Sequence, residues 1–313
     1  MKFPENFCIK DKDCSKMFCE CDKLKSIDLS SFDTSNATNM EDMFYDCKNL
    51  ENIDLSSTET KYVTKMAKMF YGCNNLKNID LSFFDTKKVT DTHKMFYKCE
   101  KLKTIDLSSF YTKNVTNMES MFEGCEILEE IKLSFSFLTE NVESMKSMFF
   151  DCQKLKSIDL SSFDTIKVKN MESMFERCGS LEKLDLSSFN TENVTNMKLM
   201  FRKCEKLKSI NLSKFKTENV ENMESMFRKC NELEDINLEN FNTEKVYYMN
   251  WMFKKCKSLK EIDLSSFVIS AMLDDFFESC DKLEKVVINK RTKQVYLGKF
   301  EKSKIEYKKV DEN

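Results

Sequence analysis

The chain has 313 residues with 50 basic and 53 acidic side chains, a net charge of -3. That near balance gives no drive toward nucleic acid or an anionic membrane. Four glycines, one proline and one histidine leave little material for a phosphate-cradling loop or a histidine-based catalytic centre, so the composition implies neither an enzyme nor a cofactor.

Residues 1–20 are expected to form an N-terminal cap. The opening stretch lacks a signal-peptide apolar run, and no run of about 18 apolar residues suggests a membrane-spanning helix. Cys8, Cys14, Cys19 and Cys21 form a cluster open to three readings: plain thiols, a disulfide staple in an oxidising compartment, or zinc. From Cys21 one cysteine returns every 26 residues, at Cys47, Cys73, Cys99, Cys125, Cys152, Cys178, Cys204, Cys230 and Cys256, then Cys280. Short-period self-similarity of this kind defines a solenoid, here of eleven units over residues 21–280.

Within each unit the cysteine is followed by Leu-x-x-Ile-x-Leu, as in Leu24, Ile27 and Leu29 or Leu155, Ile158 and Leu160. The alternation predicts a short strand. About eight residues later comes Val-x-x-Met-x-x-Met-Phe-x-x-Cys, as in Val115, Met118, Met121, Phe122 and Cys125. Offsets of 0, 3, 6, 7 and 10 predict one face of a short helix, with Thr38 and Glu41, or Thr116 and Glu119, as capping boxes. The predicted fold is therefore an α/β solenoid, a parallel sheet on one face and short helices on the other. No repeat is expected to fold alone, because ordering about 26 residues exceeds what one unit's apolar burial returns.

The phrase Met-Phe-x-x-Cys-x-x-Leu-x-x-Ile-Asp-Leu-Ser-Ser-Phe-Asp-Thr-x-x-Val-Thr-Asn-Met resembles the 26-residue repeat of BspA-type leucine-rich-repeat surface proteins, over about residues 17 to 288. The resemblance implies a leucine-rich-repeat solenoid at the cell surface, acting in adhesion and in binding host or matrix proteins, and it brings no catalytic residue. The lack of a visible signal peptide favours the alternative, a cytoplasmic scaffold.

Several units depart from the pattern. Thr58 replaces the recurrent Phe, Thr92 replaces a Met, and an extra residue at Ser136-Phe137 lengthens the fifth unit to 27, which predicts a local bulge. Phe276-Phe277 stands where Met-Phe is expected, marking a modified last repeat. Residues 281–313 then form a C-terminal cap or tail, with strands predicted at Val286–Ile288 and Gln294–Leu297 around a turn at Asn289–Lys293.

Three sets of residues are singled out. The cysteine column reads as small buried hydrophobes, with no Cys-x-x-Cys or histidine partner for a metal. The position between the strand Ile and Leu points away from the core and is acidic at Asp28, Asp54, Asp80, Asp106, Asp159, Asp185 and Asp263, interrupted by Lys132, Asn211 and Asn237. This column is either a solvated ladder balanced by Lys25, Lys77, Lys103, Lys156 and Lys260 or the surface that binds a protein ligand. Tyr45, Tyr71 and Tyr97 share one slot and are expected to stack, while Tyr247, Tyr248 and Trp251 are expected on one helix; both groups are candidate aromatic interfaces. His93 is read as a surface residue.

Overall fold

The computed structural model describes residues 7–8, 12–29, 32–268, 275–289 and 305–308. They divide between two units, Met1–Phe163 and Asp164–Asn313. Each unit is a β-solenoid built from 26-residue coils, and each is described by itself.

In the first unit short strands pair in parallel across neighbouring coils. β1 (Phe7–Cys8) pairs with β3 (Phe32–Asp33), β2 (Ser26–Asp28) with β4 (Asn52–Asp54), and β5 (Thr104–Asp106) with β6 (Glu130–Lys132). The register sets Ile27 against Ile53 and Ile105 against Ile131. A second parallel line of single bridges runs Asp13, Asn39, Lys65, Asp91, Asn117, Ser144. In the second unit β7 (Ser209–Ile210) pairs with β8 (Asp235–Ile236), again Ile to Ile, and β9 (Glu261–Leu264), β10 (Lys285–Asn289) and β11 (Ile305–Lys308) form one parallel sheet. Here the bridge line runs Asn170, Asn196, Asn222, Tyr248. β10 lies where Val286–Ile288 predicts a strand, whereas Gln294–Leu297 and most of the expected turn before it lie outside the described residues.

The expected helices are not formed: among the described residues there is none. The Met-Phe-Cys segment is instead a chain of tight turns laid against the next coil. Its N–H groups alternate between two kinds of partner. Asp42, Phe44 and Asp46 donate to Ala67, Met69 and Tyr71 of the next coil, whereas Met43, Tyr45 and Cys47 donate three residues back. An α-helix would send every N–H to the carbonyl four residues back and leave nothing for the neighbouring coil. The alternation is made possible by a left-handed residue every fourth position: Asp42 and Asp46 have φ of 56° and 55°, and the same two slots recur as Lys94 and Lys98, Ser120 and Gly124, Leu199 and Lys203. Non-glycine residues resist this region by about 1 to 2 kcal/mol each, and the cross-coil bonds gained offset that. The predicted capping boxes dissolve accordingly. Thr38 and Thr116 bond Lys12 O and Thr90 O of the preceding coil, and the Glu41 and Glu119 N–H groups are taken by Asn39 and Asn117 side chains.

The core lies between the strand line and the turn line. Most strand Ile and Leu, the turn Val, Met and Phe, and the cysteines from Cys47 to Cys256 are buried in both units. Phe44, Phe70, Phe96 and Phe122 stack with ring centroids 5.6 to 5.7 Å apart, as do Phe175, Phe201 and Phe227 at 5.8 and 5.4 Å. Such offset stacking adds about 0.5 to 1.5 kcal/mol per pair beyond the area buried. Column thiols donate to the Phe carbonyl of the preceding coil: Cys73 to Phe44, Cys125 to Phe96, Cys204 to Phe175, Cys256 to Phe227, at 3.1 to 3.3 Å. The same carbonyl accepts its own coil's cysteine N–H, so both lone pairs are used.

The Thr of Phe-x-Thr makes a parallel device. Its hydroxyl donates to a carbonyl and accepts the N–H of the same residue one coil on, as Thr60 does with Asp85 and Thr217 with Asn242.

The departures fall where the sequence places them. The fifth-unit insertion is a bulge in the turn between Leu133 and Phe137: Phe137 is fully buried in the Phe slot and Phe135 is pushed out, 89% exposed. Thr58 fills its Phe slot buried, with its hydroxyl unpartnered. Phe276 and Phe277 are both buried and close the Phe stack against Phe253, the first edge-on and the second stacked.

Candidate protein-interaction surface

The strand alternation turns the acid column outward. Asp54, Asp80, Asp106 and Asp159 in the first unit and Asp185 and Asp263 in the second are exposed, as are Lys132, Asn211 and Asn237; Asp28 is half-buried. Each acid closes a turn. Asp54, Asp80 and Asp106 accept the N–H of Ser56, Ser82 and Ser108 at 2.9 Å, Asp159 that of Ser161 at 3.0 Å, and Asp263 that of Ser265 at 2.8 Å. The serine hydroxyls of Ser56, Ser82, Ser108 and Ser161 add a second bond to the same carboxylates. Asn211 and Asn237 make the same N–H bond to Ser213 and Glu239, so asparagine preserves the turn while removing the charge. Lys132 has no acceptor to offer.

Hydrogen bonds from the following serine hold Asp54, Asp80, Asp106 and Asp159 below the usual carboxylate range, and in Asp54 they outweigh repulsion from Asp28 and Asp80. These four are therefore ionised at neutral pH without needing the flanking lysines to balance them. Lys77, Lys103 and Lys260 pair instead with glutamates in their own slot on a neighbouring coil, Glu51 at 2.7 Å, Glu129 at 3.6 Å and Glu234 at 3.0 Å. In the second unit the face includes an open trough of about 600 Å³ lined by Asp235, Asn237, Glu261, Asp263 and Lys285.

Tyr45, Tyr71 and Tyr97 stack as expected, centroids 4.5 and 4.4 Å apart, half-buried. Burial, followed by the neighbouring ring or carboxylate, raises all three phenols above their ordinary value. Tyr247 and Tyr248 are exposed and Trp251 is half-buried beneath Arg228 at 5.7 Å. They lie on a bridge and a left-handed turn, with Trp251 at φ 58°, not on a helix. His93 is half-buried, its ring 2.8 Å from Asp91.

Cys14 is buried, Cys19 half-buried and Cys21 exposed, all as free thiols, and the side chain of Cys8 lies outside the described residues. The column cysteines from Cys47 to Cys256 are buried free thiols, and desolvation pushes Cys47, Cys125 and Cys230 up to about 12. What the sequence reading missed is the turn-closing role of the acids, although the Asp/Asn-x-Ser recurrence, kept in all but the Lys132 and Asn237 coils, carries that signal.

The repeat matches the family described as "Mycoplasma protein of unknown function, DUF285" over residues 12–135, 130–230 and 200–304. The chain belongs to that family. No curated protein matches this DUF285 chain. Among solved structures it is similar to a leucine-rich cell surface protein from Faecalibacterium prausnitzii A2-165, with 19% identity, 92% of this chain and 80% of that one covered, and a TM-score of 0.46. It is also similar to a leucine-rich-repeat protein from Eubacterium ventriosum ATCC 27560, at 15% identity, 86% and 67% coverage and a TM-score of 0.33. A further similar structure is the functional domain of InlJ from Listeria monocytogenes, which includes a cysteine ladder, at 15% identity, 85% and 58% coverage and a TM-score of 0.30.

Proposed function

We propose that this chain is a non-catalytic protein-binding repeat protein of the BspA-type surface class, with the strand face as its contact surface and host, matrix or cell-surface proteins as its ligands. The observation that carries the reading is the column of exposed carboxylates, each fixed in place by its bond from the following serine. A rigid, repeated row lets weak contacts accumulate without a deep pocket. Lys132, Asn211 and Asn237 then mark where one stretch of the face differs from another. The free thiols support a second reading, an intracellular scaffold using the same face.

Replacing Asp54, Asp80, Asp106 and Asp159 together with Asn keeps every turn bond and removes four charges. Binding of the full chain to intact cells and to immobilised matrix proteins is expected to fall about tenfold or more, with the circular dichroism unchanged. Unchanged binding would remove the strand face from the reading. Antibody labelling of intact against permeabilised cells separates surface protein from scaffold.

A further inference from the structure

The two residues before each cysteine make a second surface, independent of the strand face. In the second unit they read Glu176-Arg177, Arg202-Lys203, Arg228-Lys229 and Lys254-Lys255 in four consecutive coils. The whole chain has only four arginines among its 50 cations, and three stand here. The backbone holds the row in register: Arg177 N–H donates to Arg202 O, Lys203 to Arg228 O and Lys229 to Lys254 O, at 2.7 to 2.9 Å. Neighbouring cations are thereby one coil apart, about 4.8 Å, and all seven are half-buried.

The chain's own carboxylates reach Arg202 and Lys254 of this row. Buried Glu176, itself held by the Ser173 hydroxyl, takes Arg202 at 2.7 Å. Lys254 takes Asp275 at 3.2 Å and Glu278 at 2.6 Å. Lys203, Arg228, Lys229 and Lys255 form no ion pair among the described residues, and the Arg228 Nε is buried without a hydrogen-bond partner. Burial and then repulsion from Lys203, Lys255, Arg228 and Arg202 lower the Lys229 ammonium below its ordinary value. Like charges assembled this closely, and left uncompensated in the middle, are the signature of a site for an absent anion.

We propose that this row binds the carboxylates of an extended acidic segment of a partner protein. Carboxylate is the ligand that the row already takes at Arg202 and at Lys254, and guanidinium forks suit it. A single-stranded nucleic acid would need open aromatic faces for its bases, and one face of Trp251 is covered by Arg228.

The test uses the full chain and fluorescence anisotropy with three labelled probes: deca-glutamate, deca-glutamine and a single-stranded oligonucleotide of the same charge as the first. Lys203→Asn, Lys229→Asn and Lys255→Asn are combined, because Asn accepts the left-handed backbone of these positions and leaves the coil intact. Deca-glutamate is expected to bind in preference to both other probes, more weakly as salt rises, and about tenfold more weakly to the triple variant. A Lys87→Asn, Lys113→Asn control should bind as the parent does. Equal binding of deca-glutamate and deca-glutamine, equal affinity of parent and triple variant, or tighter binding of the oligonucleotide through the same lysines would each overturn the assignment.

Discussion

The residues just before the cysteines read Tyr45-Asp46, Tyr71-Gly72, Tyr97-Lys98, Glu123-Gly124 and Phe150-Asp151 in the first unit, against Glu176-Arg177, Arg202-Lys203, Arg228-Lys229 and Lys254-Lys255 in the second. The backbone is the same in both. The last residue of each pair has positive φ, and its N–H is placed to donate to the next coil, as Asp46 does to Tyr71 and Arg177 to Arg202. What differs is chemistry: a stacked column of phenols in one unit, a row of cations in the other. The frame is held by buried residues that barely change between coils, Met, Phe, Cys and Val on one line and Ile and Leu on the other. Exposed slots are released from that duty. They can diverge at little structural cost, so differences between coils at those slots are where binding specificity is to be sought.

If the frame is common to both units, what breaks it should break both. The largest effect is expected from alkali. Burial holds the Cys47, Cys125 and Cys230 thiols protonated up to about 12, while an unfolded thiol ionises near 8.5. A raised folded value means that the stabilisation is complete below the unfolded pKa and is lost as pH climbs through the folded one. Each of these thiols therefore withdraws on the order of 4 kcal/mol between about pH 9 and 12, and the column together exceeds the net stability of a typical domain. Circular dichroism and thiolate absorbance should change together in that window. Thiolate appearing while the fold persists would show the thiols to be open to solvent. Next in size is deletion of one stacked ring. Phe122→Ala in the first unit and Phe201→Ala in the second should each lose about 3 to 5 kcal/mol in urea unfolding. A large disparity between the two would mean that the units do not share one packing solution.

How much of this was legible in the sequence depends on which side of the chain a residue serves. The 26-residue period, the Ile-x-Leu strand and the buried cysteine column were readable because core positions repeat. The helix was misread because offsets of 0, 3, 6, 7 and 10 also suit turns punctuated by left-handed residues. Those slots hold Asp42, Lys94, Ser120, Leu199 and Trp251, none of which advertises positive φ as glycine does. Only Gly72 and Gly124 betray it: a side chain at Gly72 would strike the Asp46 carboxylate. The basic row was hidden by averaging, since a net charge of -3 over the chain says nothing of two slots in four coils. Reading each slot down the aligned repeats, rather than along the chain, brings it out.

The smallest effect contrasts two threonines. Thr58 stands in a Phe slot of the first unit, 3% exposed with its hydroxyl unpartnered, whereas Thr217 of the second unit donates to Asn242 O at 2.8 Å and accepts the Asn242 N–H at 2.8 Å. Valine has the same shape without the hydroxyl. At position 58 it removes a desolvated polar group that nothing satisfies, so Thr58→Val should stabilise by roughly 1 kcal/mol. At position 217 it strands the half-buried Asn242 carbonyl and N–H, so Thr217→Val should destabilise by about 1 to 3 kcal/mol. Urea midpoints at unchanged m-value read both. Opposite signs would establish that the hydroxyl stabilises through its bonds to the next coil and not through its bulk. A loss at position 58 as well would place an ordered water on that hydroxyl, making Thr58 a wet substitute for a missing ring rather than a flaw in the Phe column.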